Sequence, residues 1–365
     1  MNLKHEISSI KNLNKSDMDL LYEWSDNGWG AIQANLHTLS IFKTCPPSQF
    51  LNDYKFSLYS GEPIFYCGFY NKGNLSIFFD VNKKIIFNSR FYLTHLDSFF
   101  KNIDACLHHL DKVNFSSLIE IYSPVVAIEK WFISYGHFKD EAYNLGEILS
   151  DTSIPQNAIA LLDYPTDERL NHASFSFSSN YQKIEKLIFE SRSLNAYNFK
   201  AHVLKFSEVF VFENRYLSKT FHSFPMTVSS RIKNNIIKKN KTSEFLFLTR
   251  SSSYRDIDNK TEIEEFLKQK FNIFSPENNS YDSLVEHCDA AKLIVMYYGS
   301  AMTNMCYFKP NTNVIILKSK SYAPEKIDLW NTLISNYSLK LTIIDADESN
   351  FINQEHLMNA INQCN

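Results

Sequence analysis

Residues 294–317 read IVMYYGSAMTNMCYFKPNTNVIIL and predict a strand, a glycine turn, the start of a helix, a loop and a second strand. The apolar run at 293–297 is short and rich in β-forming residues, as in a buried strand. Gly299 allows a turn that a Cβ atom would obstruct. Ser300 and Thr303 follow where a helix should begin with unpaired amide N–H groups, which can bind a phosphate. An ordinary strand–turn–helix unit without a ligand is the alternative.

The C-terminal part of the chain alternates regularly between strands and helices. Strands are predicted at residues 244–249, 271–275, 292–297, 313–318 and 340–345. Helices are predicted at residues 261–270, 280–291, 300–308 and 324–336. Thr261 and Glu264 have capping-box spacing, and Pro324 suits the first turn of a helix. The alternation predicts a parallel, doubly wound α/β sheet, which binds ligands at the carboxyl ends of its strands.

The N-terminal part of the chain is less regular. Strands are predicted at residues 64–70, 75–80, 84–88, 117–122 and 157–162, and helices at residues 96–110, 128–135 and 181–190. These elements predict a second α/β domain. The polar stretch 150–156 could divide that domain into two parts.

Length, charge and cysteine content exclude several classes of protein. A chain of 365 residues is more compatible with two domains than with one. The net charge of −3 argues against a protein that binds bulk nucleic acid. The six cysteines form no C-x-x-C pair, and so zinc and thioredoxin-like sites are not predicted. The polar first residues and the lack of a long apolar run predict a soluble cytoplasmic protein with reduced thiols.

Two arginines follow the first strand of the C-terminal sheet. Arg250 comes at the end of the predicted strand and Arg255 five residues later. Guanidinium groups at the mouth of a parallel sheet suit a diphosphate, because arginine is always charged and can bind phosphate oxygens in a bidentate way. The alternative for Arg255 is a surface ion pair with Asp256, Asp258 or Glu262.

The order of short motifs between residues 248 and 317 resembles glycosyltransferase family 61. The matching elements are Leu248-Thr249-Arg250, then Arg255 with Asn259 and Glu262, then Pro276-Glu277, then Tyr298-Gly299-Ser300-Ala301-Met302-Thr303-Asn304, and finally Phe308-Lys309-Pro310 before the strand at 314–317. The resemblance implies a donor-binding set made of Arg250, Arg255, Tyr298, Gly299, Ser300, Ala301, Thr303 and Asn304.

The resemblance also implies an architecture. Members of the family are GT-B enzymes, in which two Rossmann-like domains face each other across a cleft. We therefore expect an N-terminal acceptor domain at residues 1–225 and a C-terminal domain that binds the nucleotide sugar at 226–348. A final helix at 349–365 is expected to pack back on the N-terminal domain.

The resemblance implies an inverting transfer that does not need a bound metal or another cofactor. The donor would be a nucleotide sugar, UDP-linked, and the acceptor a glycan or glycolipid. The product would be a bacterial surface polysaccharide, such as a capsule or lipopolysaccharide. Asp256-Ile-Asp258 and Asp345-Ala-Asp347 resemble metal-binding D-x-D motifs, but such spacing is common by chance.

The catalytic base is expected on the N-terminal side, where the candidates are His202, Glu208 and Asp163, with Glu190 as a further possibility. His202 leads because it lies near Asn195-Ala-Tyr-Asn198-Phe199, a segment that resembles a histidine motif of the family. Its pKa also suits the role. A histidine on a helix face without any catalytic role is the alternative.

Two departures from the family pattern lead to other hypotheses. Tyr298 replaces the histidine of the family, and Ile316 replaces a common acidic residue. Tyrosine cannot carry positive charge near neutral pH. The chain could therefore be a degenerate transferase that binds nucleotide sugars as a partner or scaffold. An unrelated α/β enzyme, for example a sugar-phosphate hydrolase, is a third hypothesis, which the motif order disfavours.

A basic stretch precedes the C-terminal sheet. Residues 231–241 contain no acidic residue, and their cations are Arg231, Lys233, Lys238, Lys239 and Lys241. The stretch predicts a solvated helix. The alternative is a peripheral contact with the inner membrane or a polyanion.

Overall fold

A computed structural model of the chain describes residues 118–128, 135–162, 164, 178–196, 203–212, 224–237, 243–250, 256–320 and 330–364, and the strands between residues 22 and 92. The described chain is an α/β protein with a small antiparallel sheet, a large mixed sheet and a parallel sheet. It divides into two compact units. The first comprises residues 1–132, 148–166 and 191–220, and the second comprises residues 133–147, 167–190 and 221–365.

The strands of the first unit form the antiparallel sheet and the mixed sheet. In chain order they are β1 (Tyr22–Trp24), β2 (Ala31–Ala34), β3 (Phe42–Lys43), β4 (Gln49–Leu51), β5 (Tyr54–Gly68), β6 (Ser76–Phe79), β7 (Ile85–Ile86), β8 (Arg90–Tyr92), β9 (Ile119–Ile121), β10 (Val125–Ile128), β11 (Ile159–Leu162), β12 (Ser193–Asn195) and β13 (Leu204–Phe212). The small sheet has the order β1-β2-β8. The mixed sheet has the order β12-β11-β10-β13-β5-β6-β7-β3, with β4 paired to β5 and β9 paired to β13.

The parallel part of the mixed sheet has a Rossmann-like order. Strands β12, β11, β10 and β13 are parallel, and β5 is antiparallel to β13. Numbered along the chain from β10, the parallel strands lie in the order 3-2-1-4, as in half of a doubly wound sheet. Their core includes Val125, Leu161 and Phe206, all inaccessible to solvent.

The second unit holds the parallel five-stranded sheet and the helices. The helices are α1 (Tyr135–Ile148), α2 (Ser178–Phe189), α3 (Met226–Ile236), α4 (Lys260–Lys268), α5 (Tyr281–Ala290), α6 (Asn331–Asn336) and α7 (Gln354–Cys364), with 3-10 helices at Pro276–Asn278 and Ser300–Tyr307. The strands are β14 (Phe245–Leu248), β15 (Asn272–Phe274), β16 (Leu293–Tyr297), β17 (Asn313–Lys318) and β18 (Lys340–Asp345), in the order β15-β14-β16-β17-β18. All five residues of β16 are buried, as expected for a parallel strand covered on both faces.

Most of the predicted strands are confirmed. The predictions for β17 and β18 coincide with the structure, and those for β14, β15 and β16 agree within two residues. The predicted parallel sheet of the second unit is therefore correct. The predicted helix at 96–110 and Pro324 lie outside the described residues.

One helix prediction is contradicted at its first residue, and one predicted helix cap is wrong. Ile128, where the predicted helix 128–135 begins, is the last residue of strand β10, which pairs with β11 and β13. Helix α1 begins at Tyr135, and residues 129–134 lie outside the described residues. The capping box at Thr261 and Glu264 is not formed. The N-cap of α4 is Asn259, and the Glu264 carboxylate instead accepts a hydrogen bond from Thr249 Oγ1.

Helices α1 and α2 group with the second unit, and so the division of the chain differs from a single boundary after residue 225. Both helices bury apolar side chains within that unit, including Tyr143 and Ile184. They also approach closely, since a Cβ atom at Gly146 would lie 2.4 Å from Ile188 Cγ2.

Helix α7 packs on the parallel sheet. Leu357 and Ile361 join the apolar cluster that contains Phe247 and Val295. The predicted packing of this helix on the N-terminal domain stays a prediction. Within the described residues, no helix combines the length and the apolar character that a membrane span requires.

Candidate active site

The carboxyl edge of the parallel sheet has a topological switch point between β14 and β16. The chain crosses from β14 to β15 on one side, and then from β15 to β16 on the other side of β14. Leu248 pairs with Met296, and so the two strands end at nearly the same level. Open parallel sheets bind ligands at such a point. The segments that follow β14 and β16 therefore form the candidate site.

Gly299 makes the sharp turn after β16. Its φ of 137° and ψ of −150° lie in a region that glycine alone adopts readily. The N–H group of Tyr298 donates to Leu317 O at 2.9 Å, which ties the start of the turn to β17. The glycine turn expected from the sequence is therefore present, for the steric reason that predicted it.

A 3-10 helix follows the turn in place of the predicted α-helix at 300–308. Met302 N–H donates to Gly299 O at 2.9 Å, and so the amide N–H groups of Ser300 and Ala301 precede the first helical hydrogen bond. Thr303 Oγ1 donates to Ser300 O at 2.8 Å and tightens the first turn. The apolar pattern alone could not distinguish the two kinds of helix, because both bury the same short run.

The predicted donor-binding residues of this turn differ in accessibility. Ser300 is exposed, and Gly299 and Ala301 are half-buried. The buried side chains are those of Tyr298, Thr303 and Asn304. The exposed and half-buried residues 299–301 are therefore better placed than these buried side chains to meet an anion.

Arg250 lies beside the glycine turn, just after β14. Its Nε and Nη2 atoms both lie 2.6 Å from Asp256 Oδ1, and Nη1 donates to Tyr298 O at 3.5 Å. The guanidinium carbon lies 5.3 Å from the centre of the Tyr297 ring, within cation–π range. A carboxylate, a carbonyl and an aromatic ring thus fix the position of this cation.

Lys260, at the start of α4, completes an ion-pair cluster with Arg250 and Asp256. Lys260 Nζ donates to Asp256 Oδ2 at 2.8 Å and to Arg250 O at 2.6 Å. Two cations share one carboxylate, and so these three side chains carry one net positive charge, which favours an anionic ligand. Lys260 was absent from the predicted site, although its i, i+4 spacing from Asp256 was visible in the sequence.

Asn259, the asparagine of the second family-like motif, has a structural contact. Its Nδ2 donates to Ile352 O at 2.9 Å, and Ile352 N–H donates to Asn259 Oδ1 at 3.0 Å. The side chain thereby joins the start of α4 to the loop before α7. Glu262 of the same motif is exposed, and Arg255 lies outside the described residues.

The acidic pairs that resemble D-x-D motifs make contacts within the second unit. Asp256 binds the two cations of the cluster, and Asp258 Oδ1 accepts from Asn350 Nδ2 at 2.9 Å. Asp345 Oδ1 accepts from Lys318 Nζ at 2.9 Å. In the part of the chain that the structure describes, no three His, Cys, Asp or Glu side chains are grouped as metal ligands.

Lys139 is a buried residue that the sequence analysis missed. It lies in α1, is inaccessible to solvent, and donates from Nζ to Thr303 O at 2.9 Å and to Asn304 Oδ1 at 3.1 Å. Its Nζ also lies 3.9 Å from the centre of the Tyr307 ring. Burial lowers the pKa of Lys139, against the opposing effect of the nearby Cys306 thiol. Nothing in the sequence marked this lysine, because its contacts are 164 and 165 residues away.

The candidate bases are only partly described. Glu208 lies in β13 beside a β-bulge that separates it from Phe206, and its side chain is half-buried. Glu190 is exposed at the end of α2, with a φ of 55°. His202 and Asp163 lie outside the described residues. Their catalytic roles stay predictions.

Two residues of the basic stretch make contacts inside the second unit. Lys233 Nζ lies 2.6 Å from Asp289 Oδ1, and Arg231 Nη1 donates to Ile188 O at 3.2 Å. Both residues are partly buried in α3. The other three, Lys238, Lys239 and Lys241, lie outside the described residues, and the membrane contact stays a prediction.

Replacing Gly299 by alanine is expected to lower the free energy of unfolding by about 1–3 kcal/mol, because a Cβ atom is poorly tolerated at this φ. Thermal unfolding of Gly299→Ala and wild type measures the effect. Ser300→Ala is the matched control, since an exposed neighbour should change stability by less than about 0.5 kcal/mol. Equal melting temperatures for the wild type and Gly299→Ala would contradict the strained turn.

Comparison with known protein families gives one match. The family described as Glycosyltransferase 61 matches residues 118–315, which is more than half of the chain. The matched segment includes β14, β16, the glycine turn and the ion-pair cluster. No curated protein matches the chain.

Proposed function

The chain belongs to glycosyltransferase family 61, and from this membership we propose that it transfers a sugar from a nucleotide sugar to a glycan acceptor with inversion at the anomeric carbon. One observation carries the proposal. The guanidinium group of Arg250 lies beside the glycine turn, with Nη1 3.5 Å from Tyr298 O, and the exposed Ser300 and half-buried Ala301 follow at the same switch point of the parallel sheet. Fixed amide dipoles and a positioned cation can stabilise the negative charge that develops on a departing diphosphate.

The proposed reaction is a direct displacement. The acceptor hydroxyl oxygen attacks the anomeric carbon, the bond from that carbon to the diphosphate oxygen breaks, and the acceptor proton moves to a base. The nucleoside diphosphate leaves with added negative charge, which Arg250 and the Ser300 and Ala301 amides would stabilise. We assign the base to the first unit, with His202 before Glu208 and Asp163.

We further propose a GT-B architecture in which the second unit binds the donor and the first unit the acceptor. The Rossmann-like strand order within each unit supports this assignment. A UDP-linked donor, metal independence and a role in bacterial surface polysaccharide synthesis, in the cytoplasm or at the inner membrane, also belong to the proposal. The engagement of Asp256 by two cations supports metal independence, because that carboxylate is already bound.

A second candidate function is a nucleotide-sugar-binding protein without transferase activity. Tyr298 favours it, since this residue stands where the family has histidine and its side chain is buried, only 4% exposed. A buried phenol cannot replace a cationic imidazole beside a leaving group. Such a protein would act as a partner or scaffold for another enzyme.

Incubation of the purified chain with a panel of nucleotide sugars and glycan acceptors tests the proposal. We expect one donor to be consumed, with a glycoside of inverted anomeric configuration visible by NMR spectroscopy. Binding of a nucleotide without transfer or hydrolysis would favour the second candidate. A product of retained configuration would contradict the direct displacement, and no binding of any nucleotide would contradict both candidates.

A further inference from the structure

Lys139 makes an unusual contact between α1 and the 3-10 helix after the glycine turn. Moving an ammonium group out of water costs several kcal/mol unless the site supplies compensating contacts. The contacts of Lys139 within the 3-10 helix are a backbone carbonyl, an amide oxygen and the face of Tyr307. An apolar side chain would fill this space without that desolvation cost, and so the lysine is better explained by what it holds in place.

The ammonium group also determines the orientation of Asn304. Lysine can donate hydrogen bonds but cannot accept them. The Asn304 side chain must therefore direct its Oδ1 atom toward Lys139, as the 3.1 Å contact shows. Thr303, whose carbonyl binds the same cation, is tied through Oγ1 to Ser300 O. Two short links thus join Lys139 to the first residue of the 3-10 helix.

We propose that Lys139 is a positioning residue for the donor diphosphate, which it serves by holding the 3-10 helix 300–307 so that the Ser300 and Ala301 amides face the anion. The inference rests on the proposed function for the identity of the anion. In this role Lys139 does not contact the ligand itself, because its ammonium group is inaccessible to solvent and binds Thr303 O and Asn304 Oδ1.

Tyr143 provides a matched control for the structural part of this contact. It lies one helical turn after Lys139 on α1, is equally buried, and donates from its hydroxyl to Tyr307 Oη at 2.7 Å. Tyr143→Phe removes a polar contact between the same two helices and leaves the lysine contacts intact. Both Tyr143→Phe and Lys139→Met should lower stability, but only the lysine variant should weaken anion binding.

The experiment measures binding of UDP and of inorganic pyrophosphate to the folded wild type, Lys139→Met, Lys139→Arg and Tyr143→Phe. We expect affinity to fall at least about tenfold in Lys139→Met, to be partly kept in Lys139→Arg, and to change less than about twofold in Tyr143→Phe. Equal affinity in Lys139→Met and wild type would overturn the inference and leave the proposed function standing. If Lys139→Met does not fold, Lys139→Gln, which removes the ammonium group but keeps a polar side chain, replaces it with the same expected loss.

Amide hydrogen exchange separates the two proposals. Without ligand, residues 300–307 should exchange faster in Lys139→Met than in Tyr143→Phe, because the lysine holds this segment. Failure of the wild type to bind either probe would contradict the proposed function. Unchanged exchange of residues 300–307 in Lys139→Met would overturn the role of Lys139, whatever the wild type binds.

Discussion

Replacement of Arg250 by alanine is expected to lower kcat/KM for the nucleotide-sugar donor by about 10²- to 10³-fold, the usual effect of removing one donor that stabilises developing negative charge. The loss should appear in both donor turnover and nucleoside diphosphate affinity, because the proposed reaction has Arg250 contact the same diphosphate before and after transfer. Steady-state kinetics and equilibrium binding measure the two quantities.

Stability must be separated from binding in this variant, since Arg250 is also paired with Asp256 at 2.6 Å. The loss of stability should be smaller than the roughly 3–5 kcal/mol of an uncompensated buried charge, because Asp256 keeps Lys260 as a partner. The double variant Arg250→Ala/Asp256→Ala removes the remaining carboxylate and should regain stability without regaining activity. Recovery of activity in the double variant would show that Arg250 acts through folding alone.

A rise in pH above about 10 is expected to lower the free energy of unfolding of the protein. Burial raises the pKa of the hydroxyl groups of Tyr143, Tyr181, Tyr281, Tyr297 and Tyr337. Burial likewise raises the pKa of the Cys288 thiol. The unfolded chain releases these protons from about pH 8.5 for cysteine and pH 10 for tyrosine, whereas the folded chain retains them. The stabilisation that these groups contribute is therefore fully present below those pH values and is lost as the pH rises above them.

The magnitude of this loss follows from proton linkage. Each such group lowers the free energy of unfolding by on the order of 1 kcal/mol per pH unit once its unfolded form is ionised. Several buried tyrosines therefore lower it together by several kcal/mol, which is a large part of the stability of a typical domain. Lys139 contributes to the pH dependence with the opposite sign. Because its pKa is lowered in the folded chain, its contribution to the free energy of unfolding rises with pH up to about 10.4. This single group opposes the larger combined effect of the tyrosines and the cysteine.

Chemical unfolding followed by circular dichroism at about pH 8 to about pH 11 measures the pH dependence. Tyr181→Phe keeps the stacking of the ring on Phe138 and should reduce the loss of stability at about pH 11 by about 1 kcal/mol. Tyr122→Phe, at a side chain that is 77% exposed, is the control for removing a tyrosine hydroxyl group from the surface. If the free energy of unfolding fell equally steeply with pH in wild type and Tyr181→Phe, the assignment of the alkaline destabilisation to buried tyrosines would be contradicted.

The strands of the second unit could be predicted because parallel strands covered on both faces are short apolar runs between turn residues. Residues 293–297 and 313–318 are of this kind. The helices were harder to assign. The 3-10 form at 300–307 depends on bonds such as Thr303 Oγ1 to Ser300 O, which an apolar pattern does not encode.

Parts of the candidate site could be predicted where a residue of suitable chemistry directly follows the end of a predicted strand. Arg250 and Gly299 follow strand ends, and a glycine is needed for the turn geometry whatever the ligand. The ion pair between Arg250 and Asp256 is not among the sequence-based predictions, which name Asp256 only as one possible partner of Arg255, a residue outside the described part of the chain.

Lys139 could not be predicted in the same way. Its neighbours Asp140 and Glu141 make the segment resemble a solvent-exposed helix face, whereas all three side chains are buried. Charged residues are buried only where distant parts of the chain supply partners. For Lys139 those partners are Thr303 and Asn304, and only the folded chain brings them together.

A crystal structure of the chain with UDP would locate the donor site. We expect the diphosphate at the switch point between β14 and β16, with its oxygens about 3 Å from the Ser300 and Ala301 amide nitrogens and from the Arg250 guanidinium. UDP bound elsewhere, with this edge of the sheet empty, would contradict the proposed donor site.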